Sequence, residues 1–560
     1  MNCRNNRPPR RKIPGLRQIR LDKNYHLLIC IFMATDYAMR KIIPFAIAFI
    51  LCAFNCFAQQ NSQSIKDFGA KGDGVSDDTQ AFMKAVQSAQ TLIIPKGIYN
   101  VKGPMAFNNL QNKVIILQGA VIRNTDNTKA TLMLTGCTNV AIHGGTWTYA
   151  SMPTGNGYDV AIRITTCRNI EITHTHVLGS SEQGIVLVCV IGANISNNVI
   201  EQCFRDGIYS HYSSNLIYAC NYIHDIKDDA MSIHDYGIPA QRCILNDAGI
   251  PQAGNSIVFN NITKNTYEGF SSIGCTRLFI ANNNIQNTVT GGISIFNSEN
   301  LFKGSTARAN RIVISGNKLS GCGGKPKIIG AYYGNNGQVS TGRAAIFVGV
   351  LDSKDQISNP QSRIQYVTVT NNTVTNCFEN GAYLAQIDHL NVLGNTFRNN
   401  NISRSEYDGS EVEIQNCNAV TIDKNSVSDN RTSTESKDHS YSLDGVNGNM
   451  GSWSINSSGA SPSTTNSSLK GANELSRDVK ADVPGFSLKP GEYKIIRQKF
   501  STGVLTDCID LLPASSNSQL ACNAFTDPTS GMIVVVIANN GKQNLDIPGG
   551  SWTVREFYHN

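Results

Sequence analysis

The sequence predicts an all-β chain whose central part is a parallel β-helix. Three observations carry that expectation: a repeat unit of 23 residues, an Asn-x-apolar triplet recurring once per unit, and no sustained 3.6-residue periodicity over the same region. Composition agrees, with 48 Gly against 17 Pro, 41% hydrophobic and only 16% charged residues, the profile of a turn-rich β protein and not of a charged disordered chain. The formal charge of +7 is concentrated at the start. Residues 1–58 carry ten Lys/Arg against Asp22 and Asp36, and the rest of the chain carries 38 basic and 39 acidic side chains. A nucleic-acid binder working through bulk charge is thereby excluded for residues 59–560.

The first element is an address. From Met39 a short basic start (Arg40, Lys41) leads into an apolar run from Ile42 to Phe57, closed by Ala58. That is the pattern of a secretory signal peptide over 39–58, and the run is shorter than the roughly 20 residues a spanning helix needs. Residues 1–38 read as an upstream extension. Neither Cys52 nor Cys56 follows a lipoprotein-type small-residue run. The expected location is secreted, extracellular or periplasmic, with no membrane span.

The next block runs from Ile65-Lys66-Asp67-Phe68-Gly69 through Asp73-Gly74-Val75-Ser76-Asp77-Asp78, then a helical stretch from about Thr79 to Ala89, then Leu92-Ile93-Ile94-Pro95. Asp77 or Asp78 is the natural N-cap of that helix. The repeats follow. Asn198-Val199-Ile200, Asn221-Tyr222-Ile223, Asn283-Asn284-Ile285, Asn372-Thr373-Val374, Asn395-Thr396-Phe397 and Asn425-Ser426-Val427 mark successive units, with Val177, Ile262 and Leu319 as further apolar markers. Seven residues after a marker stands a small residue that opens a short strand, as at Gly184, Gly207, Ala230, Gly269, Gly292 and Gly381. Short strands separated by Asn/Gly corners are the signature of a coil pairing with the next coil, and corner Asn side chains are placed to satisfy backbone groups between coils. The β-helix is expected over 60–430. Residues 431–482, rich in Ser, Asn, Thr and Gly, read as a linker or loose coils, and 483–560 as a small β-sandwich-like domain.

Twelve of the 16 Cys lie beyond residue 58, too sparse for a disulfide scaffold, and most sit at repeat positions where a reduced Cys is a small core residue. Cys508 and Cys522 are the pair expected to bond.

Aligned on the small residue, the coils stack functional groups. The preceding position carries Gln183, Asp206, Asp229, Glu268 and Gly291; the one before it carries Glu182, Arg205, Asp228, Tyr267 and Thr290. Four residues after it stand Val188, His211, His234, Ile273 and Phe296. Coils about 4.8 Å apart put Asp206, Asp229 and Glu268 in one column, and alternation from inward Ile208 and Ile233 sends His211 outward. A lone Asp before Gly is an ordinary turn residue. Three stacked acids beside Asp228, Arg205 and Lys227 are different: like charges so close split their pKa values, giving the protonated acid and ionised base that glycosidic cleavage needs. The candidate catalytic residues are Asp206, Asp228, Asp229 and Glu268, with Arg205, Tyr209, His211, Lys227 and His234 as candidate substrate-binding residues. No closely spaced His/Cys set supports zinc.

The 65–99 block resembles the N-terminal cap of the pectate-lyase-like superfamily, which includes polygalacturonases, rhamnogalacturonases, alginate epimerases and phage tailspike depolymerases. The resemblance implies a right-handed helix whose first coil is plugged by the cap helix. Arg205-Asp206-Gly207 and Asp228-Asp229-Ala230 resemble the Asn-Thr-Asp-Gly and Asp-Asp-Cys motifs of polygalacturonases, which implies that Asp206, Asp228 and Asp229 are catalytic acids. Two motifs depart: Gly-His-Gly falls on Tyr267-Glu268-Gly269, and the Arg-Ile-Lys that grips galacturonate falls on Ser294-Ile295-Phe296. Both cations are therefore expected to be missing, and a glycan other than plain polygalacturonate is expected. The expectation is a secreted polysaccharide-cleaving hydrolase that needs no cofactor. The alternatives are a lyase or uronate epimerase, with Lys227 or Arg205 as base and Ca²⁺ held by the four carboxylates, and a non-catalytic glycan-binding or adhesive β-helix.

Overall fold

The computed structural model describes residues 62–152, 160–238, 253–298, 305–323, 343–349, 362–402, 410–431, 439–457 and 461–471, and in the C-terminal part 476–489, 492–499, 508–512, 520–527, 532–539 and 543–557. The signal segment 39–58, the extension 1–38 and the side chains of Cys508 and Cys522 lie outside the described residues.

Each coil holds three short strands. Ile185–Val188, Ile191–Ser196 and Val199–Cys203 make one coil, and Ile208–His211, Ser214–Ala219 and Tyr222–His224 make the next, paired with it in parallel. The first strands of successive coils form a 13-stranded sheet from Met105–Asn108 to Ser461–Thr465, and the others form a 27-stranded sheet. The result is a right-handed parallel β-helix. Parallel pairing runs on past residue 430, through Ser461–Thr465 and Ser468–Gly471.

The corner Asn residues do what the repeat suggests. Asn198, Asn221, Asn261, Asn283, Asn317, Asn372, Asn395 and Asn425 form a buried ladder, each of the first seven donating its Nδ2 to the next one's Oδ1 at 2.9–3.1 Å. The same Oδ1 accepts the preceding rung's backbone N–H, and the same Nδ2 reaches a strand carbonyl, as from Asn283 to Val258 O at 3.0 Å. Without these bonds each corner would bury unpaired backbone groups. The residue before each rung turns the chain with positive φ, and Asn or Gly fills most of these positions: Asn197, Asn260, Asn282, Gly316, Asn371 and Gly394.

The apolar markers stack as expected, Val177 on Ile200 on Ile223, and Ile285 on Leu319, Val374, Phe397 and Val427. One marker is corrected. Thr263, not Ile262, pairs with Ile223 and Ile285, and Ile262 is 45% exposed. The rung there is Asn261 and not Asn260, so the doubled Asn shifted the reading by one residue.

The cap helix spans Thr79–Ser88 and buries Phe82, Ala85 and Val86, with Phe82 edge-on to Trp147 at 6.4 Å. Its two candidate N-cap acids divide the work. Asp77 accepts the Thr79 N–H at 2.9 Å, whereas Asp78, at the N-cap position, accepts Lys71 and Gly72 N–H groups at 2.6 and 3.0 Å and braces the preceding turn.

The C-terminal part is antiparallel. The strand Met532–Asn539 pairs with Tyr493–Lys499 on one side and Leu520–Asp527 on the other. Its unbroken apolar run has two buried faces. Ile533, Val535 and Ile537 join Val483, Leu488, Ile547 and Trp552 in a local core, while Val534, Val536 and Ala538 pack on Ile257, Phe259, Phe279 and Ala281 of the β-helix. The Tyr493 hydroxyl adds a 2.9 Å bond to Asn194 Oδ1. Cys137, Cys167, Cys203, Cys275, Cys322, Cys377 and Cys417 are free and buried, and Cys189 is disulfide-bonded. Among the described residues no helix is long and apolar enough to cross a membrane.

Candidate active site

The site-bearing strands are Ile208–His211, Met231–His234, Phe270–Ile273 and Ile293–Phe296, neighbours in the 13-stranded sheet. Backbone bonds from Gly184 to Asp206 O, Gly207 to Asp229 O and Ala230 to Glu268 O fix Gln183, Asp206, Asp229 and Glu268 in one column. The small residue beside each acid is a steric necessity. A Cβ on Gly207 would sit 2.7 Å from both Ala230 O and Ile223 Cγ2.

Inward-pointing Ile208, Met231 and Ile233 send Tyr209, Ser232 and His234 to the outer face. There Tyr209 and His234 join Arg205, Asp206, Asp228, Asp229, Glu268 and Ser271 around a cleft of about 300 Å³ whose other lining residues include Tyr236, Phe296 and Arg343. Seven of the nine sequence candidates therefore line one cleft. Two do not. Lys227 lies over the Phe204 ring, its Nζ 3.7 Å from the centroid. His211 stacks on Tyr212 at 4.0 Å behind the cleft wall, against Tyr236 at 4.7 Å.

The three aspartates are buried and differently held. Ser232 donates to Asp206 Oδ1 at 2.6 Å, Ser271 donates to Asp229 Oδ2, and Asp228 Oδ2 faces the Arg205 Nε at 3.7 Å. Arg205 is shared with Glu182, 3.6 Å away. Burial pushes Asp229 up to about 7, reinforced by the Asp206 charge and opposed by Ser271 and the two arginines. Burial likewise raises Asp206, and it raises Asp228 far above the usual carboxylate range with Asp206 and Asp229 adding to it. Like charges gathered and buried in one cleft favour the sharing of a proton among the three carboxylates. Burial lowers His211 to about 4 and His234 to about 3, so both rings are neutral.

Glu268 is committed elsewhere. It forms an ion pair with Arg343 and accepts the Thr290 hydroxyl at 3.1 Å. Arg343, which lies in the column of Arg205 and Asp228 through its N–H to Thr290 O, is a further cation of the cleft that was not among the sequence candidates, while the Ser294-Ile295-Phe296 positions carry no cation, as expected. Sequence reasoning missed it because residues 324–342 interrupt the count. The signal was present in Ala344-Ala345-Ile346, where Ala345 takes the small position beside Gly292. A Ca²⁺ site does not fit: Arg343 occupies Glu268, and among the described residues no group of three or more His, Cys, Asp or Glu has metal-holding geometry.

Residues 62–294 match the family described as rhamnogalacturonase A/epimerase, pectate lyase-like. This segment is similar to the pectate-lyase-like superfamily. It holds the cap and every sequence candidate of the site. Two curated relatives, the preneck appendage proteins of Bacillus phages PZA and phi29, are each 27% identical over 199 residues, which is 30% of this chain and 23% of theirs, so the chain spans less than a quarter of their length. Among solved structures, an exopolygalacturonase from Thermotoga maritima is 13% identical with a TM-score of 0.44, over 70% of this chain and 91% of that one. The tailspike of E. coli bacteriophage HK620 is 10% identical with a TM-score of 0.47, over 90% and 94%. The Streptococcus pneumoniae surface protein and adhesin PfbA is 16% identical with a TM-score of 0.43, over 72% and 100%.

Proposed function

We propose that this pectate-lyase-like protein is an exported hydrolase that cleaves glycosidic bonds of a polysaccharide in the cleft over Asp206, Asp228 and Asp229. The observation that carries the reading is the unequal holding of three buried carboxylates in one cleft. Asp228, raised far above the usual carboxylate range by burial and held by the Arg205 charge and the Asp229 backbone N–H, is suited to protonate the leaving oxygen. Asp229, whose Oδ2 is held by Ser271, is suited to draw the proton from an attacking water, with Asp206 as its neighbour. Glu268 has a positioning role, since it holds Arg343 over the cleft wall.

The substrate-class part of the proposal follows from charge. Arg343 is paired with Glu268 and Arg205 with Glu182, so among the described residues the cleft offers no free cation row for a plain polygalacturonate. A neutral or branched glycan fits better. The lyase reading loses Lys227, which stands outside the cleft, and is left with Arg205, whose proton is held by the Glu182 carboxylate. Export rests on residues 39–58, and N-terminal sequencing of secreted protein is expected to begin within a few residues of Gln59; an intact Met1 recovered from the cytoplasm would contradict it.

A glycan-panel digest tests the function. New reducing ends without ultraviolet-absorbing unsaturated products support hydrolysis. Unsaturated products would establish a lyase, and binding without cleavage of any glycan would establish the adhesive alternative.

A further inference from the structure

Behind Asp229 runs a chain of hydrogen bonds whose directions are mutually determined. Ser271 donates its one hydroxyl hydrogen to Asp229 Oδ2. The His234 Nε2, 3.0 Å from Ser271 Oγ, must therefore donate to that oxygen. With its proton on Nε2, His234 presents Nδ1 as an acceptor, and the Tyr236 hydroxyl lies 3.2 Å away to donate to it. Tyr209 Oη, 3.5 Å from Tyr236 Oη, completes the sequence as donor. Every hydrogen points toward the ionised carboxylate. Placing a proton on Asp229 Oδ2 would require His234 to change tautomer and both phenols to turn over. Ser232, the donor to Asp206, has no such chain behind it among the described residues: its backbone oxygen receives Ser210, and its hydroxyl meets Asp206.

We propose that His234 is a positioning residue that acts on Asp229 through Ser271, and that this directed relay decides which carboxylate of the Asp206, Asp228, Asp229 group carries the shared proton. The proposal rests on the hydrolase reading for its kinetic consequence but not for its titration. The charges facing Asp229 are Asp206, Asp228 and Glu268, with Arg205 and Arg343 opposing them. Burial keeps the His234 ring neutral, with His211 and Arg205 facing it and adding to the effect, while Asp235 acts on His211. None of these supplies the hydrogen that Ser271 gives to Asp229.

Three variants test it: Ser271→Ala removes the donor, His234→Phe keeps ring volume and removes both bonds, and His234→Gln keeps a donor at the place of Nε2. Two quantities are read for each, the pH profile of kcat/KM on a cleaved glycan and the titration of carbon-labelled Asp carboxyls in the free protein. Losing a hydrogen bond to a carboxylate raises its pKa by about one to two units. Ser271→Ala and His234→Phe are therefore expected to move the acidic limb, and the matching carboxyl titration, upward by about one to two pH units, with kcat falling and KM held. His234→Gln is expected to stay near the wild-type limb. The proposal is overturned if the limb stays in place in Ser271→Ala, or if His234→Gln shifts as far as His234→Phe, which would make the ring a packing element only. A wild-type protein that cleaves no glycan would sink the hydrolase reading and leave the carboxyl titration to decide the relay.

Discussion

Arg343 lies over the ring of Phe296, its guanidinium carbon 5.1 Å from the ring centroid, and from there it pairs with Glu268. The pair holds together a carboxylate that is 2% exposed. Arg343→Ala is expected to strand that charge and cost about 3–5 kcal/mol of stability, measured by chemical denaturation. Glu268→Gln combined with Arg343→Met is expected to recover most of the loss. Equal destabilisation by the double variant would show that the packing of Arg343, and not its charge, matters.

Asp229 has an opposite signature. Its folded pKa, about 7 against 3.8 unperturbed, means that the fold favours the neutral acid. Its contribution is fully present below pH 4 and is lost as pH rises toward 7. Asp229→Asn, which mimics the neutral acid, is expected to stabilise the protein by about 1–4 kcal/mol above pH 7 and to do little at pH 4. The same variant is expected to lose about 10²–10⁴ in rate. Thermal melts at the two pH values check the first statement; a stability change independent of pH would contradict it.

The activity is expected to follow a bell. Protonation of Asp229 sets the acidic limb of kcat/KM near pH 7, and loss of the Asp228 proton sets a basic limb above it. An acidic limb near pH 4 would move the base role to a solvent-exposed carboxylate outside this cleft.

The corner ladder carries a stability prediction of its own. Asn283→Ala orphans Val258 O and both donors of Asn261, the backbone N–H and Nδ2. Its expected cost is about 2–4 kcal/mol, with the neighbouring amides losing hydrogen-exchange protection first. Unchanged protection at Asn261 would show that other groups satisfy the corner.

The coil, its inward columns and the stacked acids were legible because each depends on position modulo one coil, and a periodic sequence states that directly. The shortfalls have a common cause. Asn260-Asn261 allowed two registers, and only burial of Thr263 chose between them. Arg343 follows an interruption that broke the count, although its coil restores the pattern at Ala345. Lys227 was adjacent to the acids in sequence, yet its side chain turns toward Phe204 and away from the cleft. The relay through Ser271 was invisible because it links side chains from three coils, Tyr209, His234 with Tyr236, and Ser271, whose hydroxyl and ring directions no repeat encodes.

The central claim is that water, activated over Asp229 while Asp228 protonates the leaving oxygen, breaks a glycosidic bond. Digestion in water enriched in heavy oxygen, read by mass spectrometry of the fragments, tests it most directly. The account predicts one heavy oxygen per cleavage, at the new reducing end, and loss of that product in Asp228→Asn. Fragments that carry no heavy oxygen and a new double bond would contradict it.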